Sequence, residues 1–389
     1  MHIGLNLVFL VPGATGGTET YARELIPELV KAAPDTRFTA FVNREAATAG
    51  GAPWGEIVPA VTVPVRAANR IRWVEGEQLH LPRLAERGGV DLVHSLANTA
   101  PVWGAFRRVT TIHDLAFRIA PDAHLGVLGL GMRVLVPLAA RRSHRIIVSA
   151  QSARHDLELE LDVHPGKIDV VPLGLSTQAR AAPLPEAVVR NRLDAGDRAI
   201  VLCVAAKRPH KNLVRLIGAL ALIPSERRPL LVLPGYPTAH VADLHRRTLE
   251  LGLMRDVRIL DWIPPEELEG LYGAAACFVF PSLMEGFGLP VLEAMARGVP
   301  VACSSRGALA EVAGDAALRF DPESEPAIAA AIERLLVWPE EAQRLREAGR
   351  IRAATYSWHA TAAATIDAYK RTLAEPVAAR LDRRSRRHA

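Results

Sequence analysis

Short apolar runs bounded by turn residues recur along the chain, and stretches with helical periodicity separate many of them. In the first half the runs are HIGLNLVFLV (2–11), RFTAFV (37–42), DLVHSL (91–96), RVTTIHD (108–114), HRIIVSA (144–150) and KIDVVPL (167–173). Residues 18–32 and 128–142 read as helices between them. Strand followed by helix, repeated, predicts a parallel sheet covered by helices. The segment PLGLSTQARAAPLPEA (172–187), rich in proline, alanine and other small residues, interrupts the alternation. It then restarts with AIVLCVAA (199–206), PLLVLPG (229–235), VRILDW (257–262), ACFVFPS (276–282) and PVACSS (300–305). The predicted fold class is therefore α/β, with two Rossmann-like doubly wound domains facing each other across a cleft. A length of 389 residues is also more than one core usually organises.

In such sheets ligands sit beyond the carboxyl ends of the strands, so chemistry is sought there. LVPGATGGTETYAREL (10–25) carries Gly13, Gly16 and Gly17 between the first strand and a helix starting near Thr18. These glycines permit close backbone approach, and the free amides of a helix start can hold an anion. Taken alone, an ordinary tight turn fits equally, with Glu19 favouring the helix dipole. His113 and Asp114 end the run TTIHD. A histidine there can contact a sugar or phosphate oxygen; a purely structural histidine is the alternative. In VAAKRPHKNL (204–213), Lys207, Arg208, His210 and Lys211 cluster behind a strand and can neutralise a diphosphate.

The stretch PSLMEGFGLPVLEAMARGVPV (281–301) places Glu285 in a glycine-containing loop and Glu293 one turn into the following helix. Pro290 suits the first helical turn and Gly298 its C-terminal cap. Backbone amides of Gly286, Phe287, Gly288 and Leu289 can hold phosphate or sugar oxygens. Glu293 can accept hydrogen bonds from two vicinal ribose hydroxyls, which leaves Glu285 facing a transferred group. An exposed helix residue and an idle loop charge are the bland alternatives.

Composition narrows the classes. Cys203, Cys277 and Cys303 lack metal-ligand spacing and stand in apolar or small-residue surroundings, so neither a zinc site nor a disulfide framework is expected, and a reducing cytoplasm fits. No cleavable leader is read at the start. The net charge of +5 is concentrated in RLDRRSRRHA (380–389), with five arginines and one aspartate. The remainder is near neutral, which argues against nucleic acid as a partner. The tail is read either as a solvated terminus or, with the apolar stretch His124–Arg142, as a contact for anionic lipid head groups. That stretch is too short and too interrupted, by Arg133 and Pro137, to span a bilayer. No D-x-D triplet occurs in the chain.

EGFGLPVLE (285–293), with GGTE (16–19), IHD (112–114), HKN (210–212) and VVPLG (170–174), resembles the family 4 retaining glycosyltransferases over nearly the whole chain. The likeness is to bacterial mannosyltransferases of polysaccharide assembly. The resemblance implies a GT-B fold, with residues 1–178 as an acceptor domain and 179–356 as a nucleotide-sugar domain. A helix over 357–375 would pack back on the first domain, and 376–389 would be a basic tail. It implies that Glu293 binds the donor ribose, Glu285 the hydroxyls of the transferred sugar, Lys211 the diphosphate, and His113 the sugar near its reacting carbon. Gly16 and Gly17 would line the cleft. Family members often carry an arginine five or six residues before the lysine, where this chain has Ala205 and Ala206, so Lys207 or Arg208 is expected to make the second phosphate contact.

The implied reaction moves a hexose, with retention and without a metal or other cofactor, from a nucleotide sugar. GDP-mannose is the first expectation for the donor, with UDP- and dTDP-sugars open. The acceptor would be a saccharide, a lipid-linked oligosaccharide or a small molecule, and the protein would lie in the cytoplasm or on the inner face of the membrane. Two rivals are a nucleotide-sugar hydrolase or epimerase on the same fold, and a non-catalytic partner subunit. The latter would be expected to lack Glu285, His113 or Lys211.

Overall fold

The computed structural model describes residues 1–119, 127–175 and 181–375. The arginine-rich tail and the first residues of the His124–Arg142 stretch lie outside them. Two parallel sheets organise the chain. The first contains β1 (His2–Leu7), β2 (Arg37–Val42), β3 (Ala60–Thr62), β4 (Leu92–Ser95), β5 (Arg107–Thr111), β6 (Arg145–Val148) and β7 (Ile168–Val170), in the order β3-β2-β1-β4-β5-β6-β7. The second contains β8 (Ile200–Leu202), β9 (Leu230–Leu233), β10 (Val257–Ile259), β11 (Cys277–Phe280), β12 (Val301–Ser304) and β13 (Ala317–Phe320), in the order β10-β9-β8-β11-β12-β13. Strand order reverses at β1/β4 in one sheet and at β8/β11 in the other, which makes these the natural crevices for ligands.

Every apolar run named above supplies a strand. The central strands are buried along their whole length, as the two-sided helical cover of a parallel sheet requires. Two edge strands were not foreseen. β3 alternates half-exposed and exposed residues, and β13 includes the exposed Arg319, so neither shows a continuous apolar run. The first strand stops at Leu7, and β5 stops at Thr111, which leaves His113 and Asp114 two and three residues beyond the sheet.

The last helix, Trp358–Ala374, begins at Ser357, whose hydroxyl accepts from the Ala360 amide. It packs on the helix Gly17–Ala32, against a face made by Tyr21, Ala22, Leu25, Ile26 and Leu29. Burial of Ile366 and Tyr369 contributes about 1.5–3 kcal/mol for each such side chain. Polar contacts fix its register. The Tyr369 hydroxyl lies 2.6 Å from His94 Nδ1, and His94 Nε2 lies 2.8 Å from Thr111 Oγ1. Arg371 and Arg145 converge on the Asp169 carboxylate, the latter through two nitrogens. The helix enters at a crowded point. Gly174 runs so close to Ser357 and Trp358 that a Cβ there would collide with their backbone, and the Leu175 amide donates to the Tyr356 carbonyl. That close crossing gives the VVPLG segment a physical role.

Candidate active site

At the switch point of the second sheet, the chain leaves β8 through the turn Pro209–Lys211 and leaves β11 through the loop to Gly288. Asn212 adopts the left-handed conformation at φ 60° and caps the turn. Its side-chain amide donates to the carbonyls of Pro281 and Pro322, which ties the two strand exits together. Ser282 and Leu283 both donate to the His210 carbonyl. This stitching brings Lys211 Nζ to 2.5 Å from Glu285 Oε1, with both side chains largely buried. The ammonium also lies 5.4 Å from the centre of the Phe280 ring. His210 is kept neutral, chiefly by burial, which pulls its pKa down to about 4; its Nδ1 has no hydrogen-bond partner among the described residues.

Glu293 stands at the fifth position of the helix Leu289–Ala296, and its carboxylate accepts from the Tyr272 hydroxyl at 3.3 Å. Arg297 packs over the Tyr272 ring and pairs with Glu269, so this carboxylate is held from behind. Gly288 takes φ 118° at the start of that helix, and Gly298 takes φ 69° just past its end. Phe287 and Gly288 are buried, and Phe287 meets the Tyr356 ring edge-on at 5.7 Å. Phe287 therefore packs against the segment where the chain returns to the first domain, while Gly286 and Leu289 stay half-exposed at the crevice.

The first domain reaches the same place. The His113 amide donates to Asn98 Oδ1 at 2.7 Å, and its ring Nε2–H donates to the Leu96 carbonyl at 2.8 Å. Nδ1 is thereby the acceptor nitrogen of the neutral ring. Burial lowers the His113 pKa, against the opposing pulls of the Leu96 carbonyl and Asp114. Tyr21 packs edge-on against this ring at 5.0 Å. The backbone of Gly286 lies on the His113 carbonyl, and its own carbonyl accepts from Ser149 Oγ at 2.7 Å. Beside this contact, the Glu311 carboxylate accepts from the amides of Gln151 and Ser152, at the start of the helix Gln151–Leu161. His113 and the loop carrying Glu285 thus meet across the domain boundary.

Gly16 caps the helix Gly17–Ala32 with φ 58°, and both Gly16 and Gly17 face open space. The helix begins one residue before the expected Thr18. Glu19 has a larger part than complementing the dipole: it accepts from the Gly13 amide at 2.7 Å and pairs with Arg23, which clamps the loop.

One expectation needs correction. Lys207 does not face the crevice. It is fully buried, and its ammonium donates to the carbonyls of Gly235 and Leu260 at 3.1 and 3.0 Å, with Ala205 O at 3.4 Å. It staples the ends of β8, β9 and β10, and burial pulls its pKa down to about 8. Arg208, beside it, is exposed. Proximity in sequence to Lys211 hid this difference, because consecutive residues in an extended segment point to opposite sides.

The sequence reading also missed Asn98, Ser149, Glu311, Tyr272 and Glu77. Only Glu77 left a legible signal: with Trp73, Leu81 and Ala85 it forms a buried stripe spaced by four, an acid where the pattern calls for an apolar residue.

A family model described as Glycosyl transferases group 1 matches residues 187–352, and one described as Glycosyltransferase Family 4 matches residues 15–179. O-antigen chain mannosyltransferase B of Escherichia coli is 32% identical over 68% of this chain and 70% of its own length. The chain belongs to the family 4 glycosyltransferases. The MMP alpha-(1->4)-mannosyltransferase of Mycolicibacterium hassiacum is 33% identical over 61% of this glycosyltransferase, which spans 57% of that relative. A D-inositol 3-phosphate glycosyltransferase of Corynebacterium glutamicum is 32% identical over 59% of this chain and 57% of its own. Among solved structures, sucrose-phosphate synthase of Thermosynechococcus elongatus superposes with TM-score 0.74 at 23% identity, over 95% of this chain and 98% of that one. Anabaena HepE in complex with UDP-glucose gives TM-score 0.74 at 21% identity, over 96% and 100%. These likenesses establish the GT-B fold.

The domain contact of this glycosyltransferase yields a test. Gly286→Ala puts a methyl group against the His113 carbonyl and wedges the crevice apart. Turnover should fall by about 100-fold, the scale of a misplacement near 1 Å between reacting groups. Wild-type turnover in Gly286→Ala, measured with a folded variant, would show that the contact does not set the catalytic geometry.

Proposed function

We propose that this glycosyltransferase moves a hexose from a nucleotide sugar to an acceptor hydroxyl with retention at the anomeric carbon. The observation that carries the reading is the Lys211–Glu285 pair at the switch point of the second sheet, on a loop whose next residue, Gly286, lies against the His113 carbonyl of the first. A donor diphosphate entering this crevice meets Lys211, with Arg208 as the second cation and the amides from Gly286 to Leu289 as neutral donors. Glu285, released from Lys211, accepts from hydroxyls of the transferred sugar. Glu293 accepts from the ribose hydroxyls, steadied by Tyr272. His113 Nδ1, the acceptor nitrogen, takes a hydrogen bond from the sugar near its reacting carbon, and Gly16 and Gly17 leave room beneath the phosphates.

As the glycosidic bond breaks, negative charge grows on the diphosphate and positive charge on the sugar. Cations and oriented amides stabilise the first, and no metal is required for that task. Retention is proposed to follow front-face, oxocarbenium-like substitution, in which the leaving phosphate receives the acceptor proton. GDP-mannose is the proposed donor, supported by the two relatives named as mannosyltransferases. The acceptor is proposed to be a saccharide, lipid-linked or small. With GDP-mannose in excess EDTA, GDP release should continue and should rise when acceptor is added. Arrest reversed by Mg²⁺ would overturn the metal-free reading, and turnover only with UDP- or dTDP-sugars would overturn the donor.

Contact with an anionic membrane face, and so a place on its cytoplasmic side, completes the proposal. No described helix is long and apolar enough to cross a membrane. On the helix Val127–Arg142, however, Val134 and Leu138 are exposed one turn apart, with Arg133, Arg141 and Arg142 beside them. Such a face can lie at a lipid surface. Binding to phosphatidylserine vesicles should weaken as salt rises and should drop when Val134 and Leu138 are both replaced by serine. Equal binding to neutral vesicles would remove the membrane from the proposal.

Lys211 and Glu293 should fail in different ways. Lys211 meets charge that develops in the transition state, whereas the ribose hydroxyls change little during reaction. Lys211→Ala should therefore lower kcat about 100-fold or more, and Glu293→Ala should mainly raise the donor KM. Near-normal kcat in Lys211→Ala, or lost kcat with unchanged donor affinity in Glu293→Ala, would reverse these assignments.

A further inference from the structure

Glu77 is a fully buried carboxylate at the other switch point, that of the first sheet. It sits in a wide helical turn, Gly76–His80, of the π type that often marks functional positions. Gly76 opens the turn because a Cβ there would collide with Val65. Around the carboxylate, Asn6 Nδ2 donates to Oε1 at 2.9 Å from the end of β1, and Thr99 Oγ1 donates to the same oxygen at 2.9 Å from the loop after β4. Gln78 Nε2 donates to Oε2 at 3.1 Å. Asn6 also donates to Ser95 Oγ at 3.1 Å, so the exits of β1 and β4 are joined through this group.

The loop that Thr99 anchors is the one that holds His113. It supplies the Leu96 carbonyl to the ring Nε2–H and the Asn98 side-chain oxygen to the amide. Asn98 does so with φ 38°, a conformation costly for a residue other than glycine and retained only where its surroundings impose it. The Asn98 amide donates to the Thr111 carbonyl at 2.9 Å, and the next residue, Thr99, is tied to Glu77, the only acceptor for its hydroxyl among the described contacts.

We propose that Glu77 is a positioning residue: through Thr99 it fixes the loop Leu96–Asn98 and thereby the tautomer and orientation of the His113 ring. The proposal rests on the reading that His113 faces the sugar, and it adds which groups make that ring effective. Every partner of the carboxylate donates: Asn6 from β1, Thr99 from the loop after β4, and Gln78 from its own turn. None of them titrates. Gln78 cannot turn its amide to help, because its Nε2 also donates to the Ala100 carbonyl and its Oε1 accepts from the Val102 amide. A proton on Glu77 would face donors and loosen the clamp. Burial pushes the Glu77 pKa up to about 7, so the loosening falls in the working range.

The test uses two variants of the full chain. Glu77→Gln keeps the shape but places an amide NH₂ against donors, and Thr99→Val cuts the link while leaving Glu77 in place. Both should lower kcat about tenfold or more, as displaced catalytic groups do, with nucleoside diphosphate affinity unchanged because that site is in the other domain. In the wild type, kcat should fall as pH drops through about 7, and this acid limb should vanish in Glu77→Gln. A readout independent of turnover is the His113 Nε2–H signal in protein labelled with ¹⁵N-histidine, which should lose its protection from exchange in both variants.

Stability gives a third check. A carboxyl group whose pKa is raised on folding contributes stability below its unfolded value, near 4.5, and that contribution is lost as pH rises through about 7. The wild type should therefore lose stability relative to Glu77→Gln across that window. A changed His113 signal with full turnover would keep the positioning role and overturn the sugar-facing reading of His113. Folded variants with a wild-type His113 signal and a wild-type pH profile would overturn the proposal.

Discussion

The site depends on one close approach, the backbone of Gly286 against the carbonyl of His113. Two domains that each end their central strands in a loop can share a crevice only if those loops touch without side chains between them. Gly286 lacks the Cβ that would intervene, and Ser149 donates across the boundary to its carbonyl. Glu311 strengthens the same seam from the second domain by capping the helix that starts at Gln151. Because Glu285 precedes Gly286 directly, the contact that seats the domains also fixes the backbone from which this carboxylate reaches Lys211. Geometry between domains and geometry within the site are therefore one constraint.

That constraint is held at a distance by the last helix. Trp358–Ala374 belongs to the end of the chain yet packs on the first domain, with Tyr369 bonded to His94 and His94 to Thr111. Thr111 in turn lies 3.0 Å from the Tyr21 hydroxyl, and Tyr21 packs against the His113 ring. Burial pulls the His94 pKa down to about 3, so this chain of groups stays uncharged across the physiological range. An uncharged, fully bonded network suits a support, since a charge there would carry a large desolvation cost. The tight crossing at Gly174 fixes where the return begins.

Much of the architecture was legible because parallel strands buried on both faces must be apolar runs, and their helical covers must carry 3.6-residue periodicity. The edge strands β3 and β13 escaped because an edge needs no such run. Within the site, residues on the loops leaving β1, β5, β8 and β11 were legible because strand exits are where ligands bind, whatever the details of packing. Lys207 was misread for the same reason: a strand exit has an inner side, and only the carbonyls of Gly235 and Leu260, distant in sequence, show that Lys207 lies on it. Asn98 was illegible altogether, since a left-handed asparagine is defined by what surrounds it. Glu77 could have been found as the one acid in a buried helical stripe.

The pairing of Lys211 with Glu285 explains how two largely buried charges persist side by side. Two opposite charges about 4 Å apart attract by about 4 kcal/mol at an effective dielectric near 20, and side chains with 16% and 12% exposure feel much of that. Each satisfies the other. On the proposed roles, an arriving diphosphate would bring its own negative charge to Lys211, so the ammonium would exchange one anionic partner for another instead of losing one. Glu285 would then be left with lone pairs and no cation, a costly state for a buried carboxylate. The hydroxyls of the proposed sugar would supply the missing donors. The pair would thus make binding of the diphosphate and recognition of the sugar interdependent, and a nucleotide without its sugar should gain less from Lys211 than a complete donor does. On the proposed roles, selectivity for intact donor over spent nucleotide would follow from these two side chains.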